Sequence, residues 1–298
     1  LWTLRKGYQH SMQLIQTYQP DVLFVTGGYV CVPVTLAASR VNLPVLIYLP
    51  DIEPGLAIKF LARYAWRIAV TAGQSEQFFR PDQTVVTGYP VRSELVARAG
   101  DPSSQAEARQ QLGFLDELPL LLVFGGSRGA RSINLAVVDN IQDYLAVGQL
   151  LHITGPLDFD SVQTRRAELP ARLQARYQVT PYLHDEMVSA LLAADLVVSR
   201  AGASVIGEFP AAGLPAILVP YPYAGAHQAL NANYLARHGA AEVINDADLA
   251  RDLKDTVLNL LTNPEKLQTM RMACQRIAMP DAADRLAKEI LEVRAYGN

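Results

Sequence analysis

Along this chain, short runs of consecutive apolar residues alternate with longer stretches in which apolar positions recur every three or four residues. The runs at 21–26 (DVLFVT), 44–49 (PVLIYL), 67–71 (RIAVT), 119–124 (PLLLVF), 149–153 (QLLHI), 176–180 (RYQVT), 195–199 (DLVVS), 216–220 (AILVP) and 241–244 (AEVI) predict strands. Several are apolar at nearly every position, the pattern of strands covered on both faces. The helical pattern predicts helices over 5–18, 56–66, 129–146, 160–174, 185–193, 203–213, 228–238, 247–262, 264–277 and, after Pro280, 281–295. Such alternation specifies an α/β fold of doubly wound parallel sheets with right-handed crossovers.

Six of the predicted strands lie beyond residue 117, enough for a complete doubly wound domain, and three or four lie before it. The stretch 92–117 is rich in small and polar residues, carries no strand, and is the expected boundary. The N-terminal part opens on a helix with no strand ahead of it, so its sheet is expected to be incomplete.

With 298 residues, the chain has room for two domains, and its 50% hydrophobic content supports two cores. A net charge of −3 supplies no global field for nucleic acid. No apolar stretch approaches the ~18 residues of a membrane span. Two cysteines, Cys31 and Cys274, make no disulfide framework and suit a reducing cytoplasm.

Candidate chemistry concentrates where strands end in glycine. In LLLVFGGSRGARSIN, Gly125 and Gly126 form a phosphate-type turn ahead of a helix whose partial positive end suits an anion. A tight strand–helix turn alone explains the same residues. The turn is not GxGxxG, and no acidic residue follows near His152, which speaks against a dinucleotide. In DLVVSRAGASVIGE, Gly202 makes a second turn, and Ser204 and Glu208 stand four apart on one helix face. That spacing suits a phosphate and a ribose diol. A third turn, Gly27-Gly28-Tyr29, follows the first strand. In AGAHQALNANYLARHG, the imidazole and amides of His227, Gln228 and Asn231 suit sugar hydroxyls.

Two acidic pairs, Asp158/Asp160 and Asp246/Asp248, resemble metal-holding DxD sequences but open predicted helices, where Asp is an ordinary cap. No His/Cys spacing suits zinc, so no metal is expected. The segment LAIKFLARYAWRIAV (56–70), carrying Lys59, Arg63 and Arg67, reads either as a membrane-interface helix or as domain core with a solvated basic edge.

Taken together, PDVLFVTGGYVCVP, EPGLAIKFLARYAWRIAV, VTGYPVRSEL, GGSRGARSIN, PYLHDEM, ADLVVSRAGASVIGE and AAGLPAILVPYPYAGAHQALNA resemble, in order and over nearly the whole chain, the MurG family of glycosyltransferases. The resemblance implies the GT-B fold, two Rossmann-like domains. Residues 1–98 would form the acceptor- and membrane-side domain, 99–279 the UDP-sugar-binding domain, and 280–298 a helix packing back toward the first. The implied reaction is inverting transfer of N-acetylglucosamine from UDP-N-acetylglucosamine to the C4 hydroxyl of the muramyl sugar of lipid I, giving lipid II for peptidoglycan synthesis, on the cytoplasmic side of the cell membrane as a peripheral protein. By motif, Arg92, Ser127, Leu183, Ala203, Ser204, Glu208 and Gln228 would contact the donor. Glu208 would hold the ribose, Ser127 and the helix end at Ala203 the pyrophosphate, Gln228 the sugar and Leu183 the uracil. Gly27, Gly28 and Tyr29 would face the acceptor.

Two departures accompany this. The family's leading strand and GGTGGH loop would precede Leu1, and are not in this sequence. The family's HEQN segment reads Tyr48-Leu49-Pro50-Asp51, leaving Asp51 as a candidate base by position alone. An inactive UDP-sugar-binding homologue and a GT-B enzyme with another acceptor are the alternatives.

Overall fold

The computed structural model describes residues 2–115, 117–223 and 227–295. The chain forms two compact units, Leu1–Pro90 with Met279–Asn298 (unit 1) and Val91–Ala278 (unit 2). In unit 1 the elements run α1 (Trp2–Tyr18), β1 (Leu23–Val25), α2 (Cys31–Arg40), β2 (Val45–Leu49), α3 (Leu56–Leu61), β3 (Arg67–Val70) and β4 (Thr84–Val86). Unit 2 continues with α4 (Ser93–Arg98), α5 (Pro102–Leu112), β5 (Leu120–Phe124), α6 (Arg131–Asp139), α7 (Ile141–Val147), β6 (Gln149–Ile153), α8 (Phe159–Ala167), α9 (Ala171–Gln174) and β7 (Tyr177–Thr180). It is completed by α10 (Met187–Ala193), β8 (Leu196–Ser199), α11 (Val205–Ala212), β9 (Ala216–Leu218), α12 (His227–Arg237), β10 (Ala241–Val243), α13 (Leu249–Leu261) and α14 (Pro264–Ile277). The last helix, α15 (Ala282–Ala295), belongs to unit 1.

Both sheets are parallel, as the doubly covered strands require. Unit 1 has the order β1-β2-β3-β4 and unit 2 the order β10-β9-β8-β5-β6-β7. In unit 2 the order reverses at β5/β8, the switch point where open α/β sheets leave a crevice at their carboxyl ends. β2 and β6 are buried at every position, and β5 at all but Phe124. Helix α13 buries Leu249, Leu253, Val257, Leu260 and Leu261, one stripe at helical spacing, into the unit 2 core. In unit 1, α15 lays Leu286 and Val293 against Leu46, Tyr48 and Ala69 of β2 and β3.

The structure revises several local expectations. The polar stretch 92–117 holds two helices. Asp101 caps α5 by accepting from Ser103 N (2.9 Å), with Pro102 following it. Arg109 donates to Ala193 O (3.0 Å) and pairs with Asp195, which also accepts from Leu120 N (2.8 Å). Polar bonds, not an apolar stripe, therefore fasten α5, which is why hydrophobic periodicity does not reveal it. The expected helix 129–146 breaks at Asn140, whose Nδ2 donates to Ala136 O (3.0 Å). The expected helix 160–174 breaks ahead of Pro170. The helix expected over 56–66 ends at Leu61 and tightens to a single 3-10 turn, Ala62–Tyr64. The carbonyls of Ala62, which also accepts from Ala65 N (3.2 Å), and of Ala65 accept from Gln83 Nε2 (2.7 Å each).

Candidate functional site

The carboxyl ends of β5, β6 and β8, with the loop after β7, surround a cavity of about 310 Å³ in unit 2, lined by residues that include Arg92, Ser127, Leu183, Ser204 and Glu208. Phe124, Ile153, Tyr182 and Met187 supply apolar wall. Gly202 and Ala203 form the turn into α11, and Ser204 stands at its N-cap. Glu208, one turn along, is drawn back toward Ser204 and Arg92. Burial pushes its carboxyl up, while the Ser204 hydrogen bond and the Arg92 charge pull it down. A partly desolvated carboxylate beside a hydroxyl and a guanidinium is equipped to accept two hydroxyl hydrogen bonds from a ligand.

A second cavity, of about 620 Å³, is lined by Gly125, Arg128, Arg131, Asp158, Arg200, Gln228 and their neighbours. Both cavities share the β5–α6 turn: Gly125 faces the larger, Gly126 and Ser127 the smaller. The turn is closed by Gly129 N donating to Gly126 O (2.9 Å). Gly126 and Gly129 have φ of +92° and +77°, which only glycine adopts without strain. A Cβ on Gly129 would sit 2.8 Å from the carbonyl carbon of Thr154 and closer still to its oxygen, so this turn lies backbone to backbone on the β6–α8 loop.

Gln228, in the first turn of α12, lies in the wall of the larger cavity and accepts from Tyr221 N (2.8 Å). The neighbouring turn is described only as far as Tyr223; Ala224, Gly225 and Ala226 lie outside the described residues. Asn231, read as a sugar contact, is instead fully buried and donates to Ala201 O (3.1 Å), a structural role.

Neither acidic pair caps as expected. Asp158 sits at the N-cap of α8 without a side-chain cap bond; its Oδ2 accepts from Asn134 Nδ2 (2.8 Å), and its Oδ1 lies 3.7 Å from Arg131. Asp246 accepts from Ser132 Oγ (2.7 Å) and pairs with Arg200, which also donates to Ser132 Oγ (2.9 Å) and Val219 O (3.2 Å). This Arg200–Ser132–Asp246 cluster ties the end of β8 to the start of α6. It escaped the sequence reading, although Arg200 stands in the SRAGA turn. Among the described residues, no group of three or more His, Cys, Asp or Glu is placed to hold a metal ion.

In unit 1, Gly27 and Gly28 (φ +101° and +81°) turn the chain from β1 toward α2, leaving Tyr29 81% exposed. Asp51 follows the neighbouring β2 in a loop whose Ile52 O accepts from Ser75 Oγ (2.8 Å). The Gly27–Tyr29 turn and Asp51 thus stand at the carboxyl ends of adjacent strands. The 56–70 segment divides: Ile58 and Leu61 enter the core, while Leu56, Phe60 and Trp66 remain exposed beside Lys59 and Arg63. No helix among the described residues is long and apolar enough to cross a membrane.

The chain matches the model of the glycosyltransferase family 28 C-terminal domain over residues 120–286 and that of the N-terminal domain over residues 1–70. The UDP-N-acetylglucosamine–N-acetylmuramyl-(pentapeptide) pyrophosphoryl-undecaprenol N-acetylglucosamine transferase of Roseiflexus sp. is 40% identical, over 96% of this chain and 72% of its own. The same-named protein of Desulforamulus reducens is 38% identical, over 97% and 78%. Among solved structures, Acinetobacter baumannii MurG superposes with a TM-score of 0.79 at 26% identity, covering 98% of this chain and 80% of that one. A UDP-GlcNAc 2-epimerase from Neisseria meningitidis, bound to UDP-GlcNAc, shares the fold (TM-score 0.72, 12% identity, 97% and 81% covered). The fold, the motifs and these matches agree: the chain belongs to glycosyltransferase family 28.

Proposed function

We propose that this chain transfers N-acetylglucosamine from UDP-N-acetylglucosamine to the C4 hydroxyl of the muramyl sugar of lipid I, with inversion, giving lipid II. The observation that carries the reading is the 310 Å³ cavity at the switch point of unit 2, where Arg92, Ser127, Ser204 and Glu208 converge. There the nucleoside enters beside Leu183, and its ribose hydroxyls donate to Glu208. The pyrophosphate meets Ser127, the amides of the β5–α6 turn and the amino end of α11 at Ala203–Ser204. The sugar extends into the larger cavity toward Gln228.

The C4 hydroxyl attacks the anomeric carbon from the face opposite the leaving group, and UDP departs with the bonding electrons. Charge that develops on the pyrophosphate is met by fixed amide dipoles and hydroxyls that need no reorganisation. The attacking hydroxyl must lose a proton to a base. Asp51 is the candidate for that role, and Gly27, Gly28 and Tyr29 form the acceptor-side loop. The protein works at the cytoplasmic face of the cell membrane as a peripheral protein, with Leu56, Phe60 and Trp66 entering the headgroup region beside Lys59 and Arg63.

Calorimetric titration with UDP-N-acetylglucosamine, followed by transfer to a lipid I analogue, tests the reaction. Tight binding without transfer overturns the enzyme reading in favour of a donor-binding protein, and transfer to other acceptors in preference to lipid I overturns the acceptor. For the membrane, vesicle co-sedimentation of Lys59→Glu/Arg63→Glu should fall below that of the parent. Unchanged sedimentation rejects the interfacial role.

A further inference from the structure

Beneath the β5–α6 turn lies a line of buried polar side chains that contact no ligand in the reading above. Tyr177 on β7 and His152 on β6 meet at 3.0 Å (Oη to Nδ1), and His152 Nε2 lies 3.0 Å from Asn134 Oδ1 on α6. Asn134 Nδ2 reaches both Thr154 O (2.9 Å) and Asp158 Oδ2 (2.8 Å). His152 and Asn134 are essentially inaccessible, at 0% and 1% exposure.

The direction of every bond in this line is fixed by its far end. A carbonyl and a carboxylate can only accept, so the Asn134 amide nitrogen must face them and its oxygen must face His152. His152 then donates from Nε2 and accepts at Nδ1, which leaves the Tyr177 hydroxyl as donor. The opposite imidazole tautomer would set two acceptors against each other at Asn134. Burial pushes the imidazole down to about 3, so it is neutral, as this arrangement requires.

The two groups at the end of the line are parts of the site wall. Thr154 O is the atom against which Gly129 packs, and a Cβ on Gly155 would meet the Arg128 carbonyl and the Gly129 amide. Asp158 and Arg131, 3.7 Å apart, both line the 620 Å³ cavity. We infer that the Tyr177–His152–Asn134–Asp158 line is a positioning device, which fixes the β5–α6 turn and the Asp158 wall in the geometry that receives a diphosphate-sugar. His152 and Asn134 are thus positioning residues for the diphosphate and sugar, and have no part in holding the base and ribose.

The ligand arm of the test rests on the donor assignment made above; the ligand-free arm does not. Three variants serve: Asn134→Asp, which replaces the donating nitrogen by a third acceptor; His152→Gln, which can still donate and accept; and Tyr177→Phe, which removes one hydroxyl and little volume. Nitrogen-15 spectra of the parent should show the Nε2–H tautomer of His152, and the Nδ1–H tautomer would overturn the assignment. In ligand-free Asn134→Asp, amide exchange at 126–130 and 155–158 should quicken at least tenfold while β5 stays protected, with Tyr177→Phe intermediate and His152→Gln near the parent. Unchanged exchange at both loops overturns the proposal. With ligand, Asn134→Asp should lose at least tenfold affinity for UDP-N-acetylglucosamine and less than twofold for uridine. Equal losses for the two would reduce the line to a general structural role and overturn the proposal. Failure of the parent to bind UDP-N-acetylglucosamine would reject the donor assignment, leaving the exchange result to decide the positioning role.

Discussion

Replacing Glu208 by Gln should lower affinity without lowering stability. The carboxyl is held in an environment that opposes its charge, with burial outweighing the Ser204 bond and the Arg92 attraction. Glutamine keeps the volume and a contact to Ser204, and removes the desolvated charge. The melting temperature of the ligand-free protein should therefore stay level or rise. Affinity behaves otherwise, because a ribose hydroxyl then donates to a neutral amide. A hydrogen bond to a charged group contributes about 1.5–3 kcal/mol and a neutral one about 0.5–1.5 kcal/mol, so the exchange costs about 1–1.5 kcal/mol, a roughly five- to tenfold loss in UDP affinity at about 1.4 kcal/mol per decade. Titration calorimetry of parent and variant with UDP and 2′-deoxy-UDP closes a cycle: the parent should discriminate between the nucleotides more strongly than the variant. Acidification should mimic the substitution. A carboxyl raised by burial takes its proton at higher pH than a free glutamate, so UDP affinity should fall earlier on the way down in pH. Equal affinity of the parent for the two nucleotides, or undiminished UDP binding by the variant, would refute the ribose assignment.

Asp195→Ala should cost about 3–5 kcal/mol in urea unfolding of unit 2, since it removes the counter-charge of the buried Arg109 guanidinium and the acceptor of Leu120 N; a change under about 1 kcal/mol would show that α5 is held by other means. Gly129→Ala, at φ +77° against the Thr154 carbonyl, should abolish UDP-N-acetylglucosamine binding while leaving the circular dichroism of the sheet intact; retained binding would mean that the turn can move without consequence. His152 contributes a pH dependence of definite sign. Below its unfolded value of about 6.5 the unfolded chain takes up a proton that the folded imidazole refuses down to about 3, so stability is full above 6.5 and declines across that window. Urea midpoints at pH 7.5 and 5 should differ more for the parent than for His152→Gln, and identical differences would contradict the burial of a neutral imidazole.

The parallel sheets were legible because β2 and β5 are apolar on both faces, a pattern few other structures require; the order of their strands was not, since it rests on pairings between segments distant along the chain. The strand–glycine–helix junctions were legible for a related reason: a parallel sheet must turn there, and glycine marks the turn. What the sequence did not reveal depends on partners distant along the chain. Helix α5 has no apolar stripe, and its anchor is the Arg109–Asp195 pair, 86 residues apart. Asp158 and Asp246 look like caps from their neighbours alone, but Asn134 and Arg200 claim them from other elements. The same holds for β4, only three half-buried residues long, which becomes a strand by pairing with β3.

The return of α15 to unit 1 sets an order of events during synthesis. Unit 2 is continuous in sequence and can close as soon as it has emerged. Unit 1 cannot, because the helix that covers Leu46, Tyr48 and Ala69 is made only after unit 2. At about 5–20 residues per second, that face of the nascent sheet waits roughly 10–40 s for its cover while unit 2 is translated. The apolar surface at risk of capture by chaperones, or by another nascent chain, is thus in unit 1, whose sheet is made before unit 2 and whose cover is made after it.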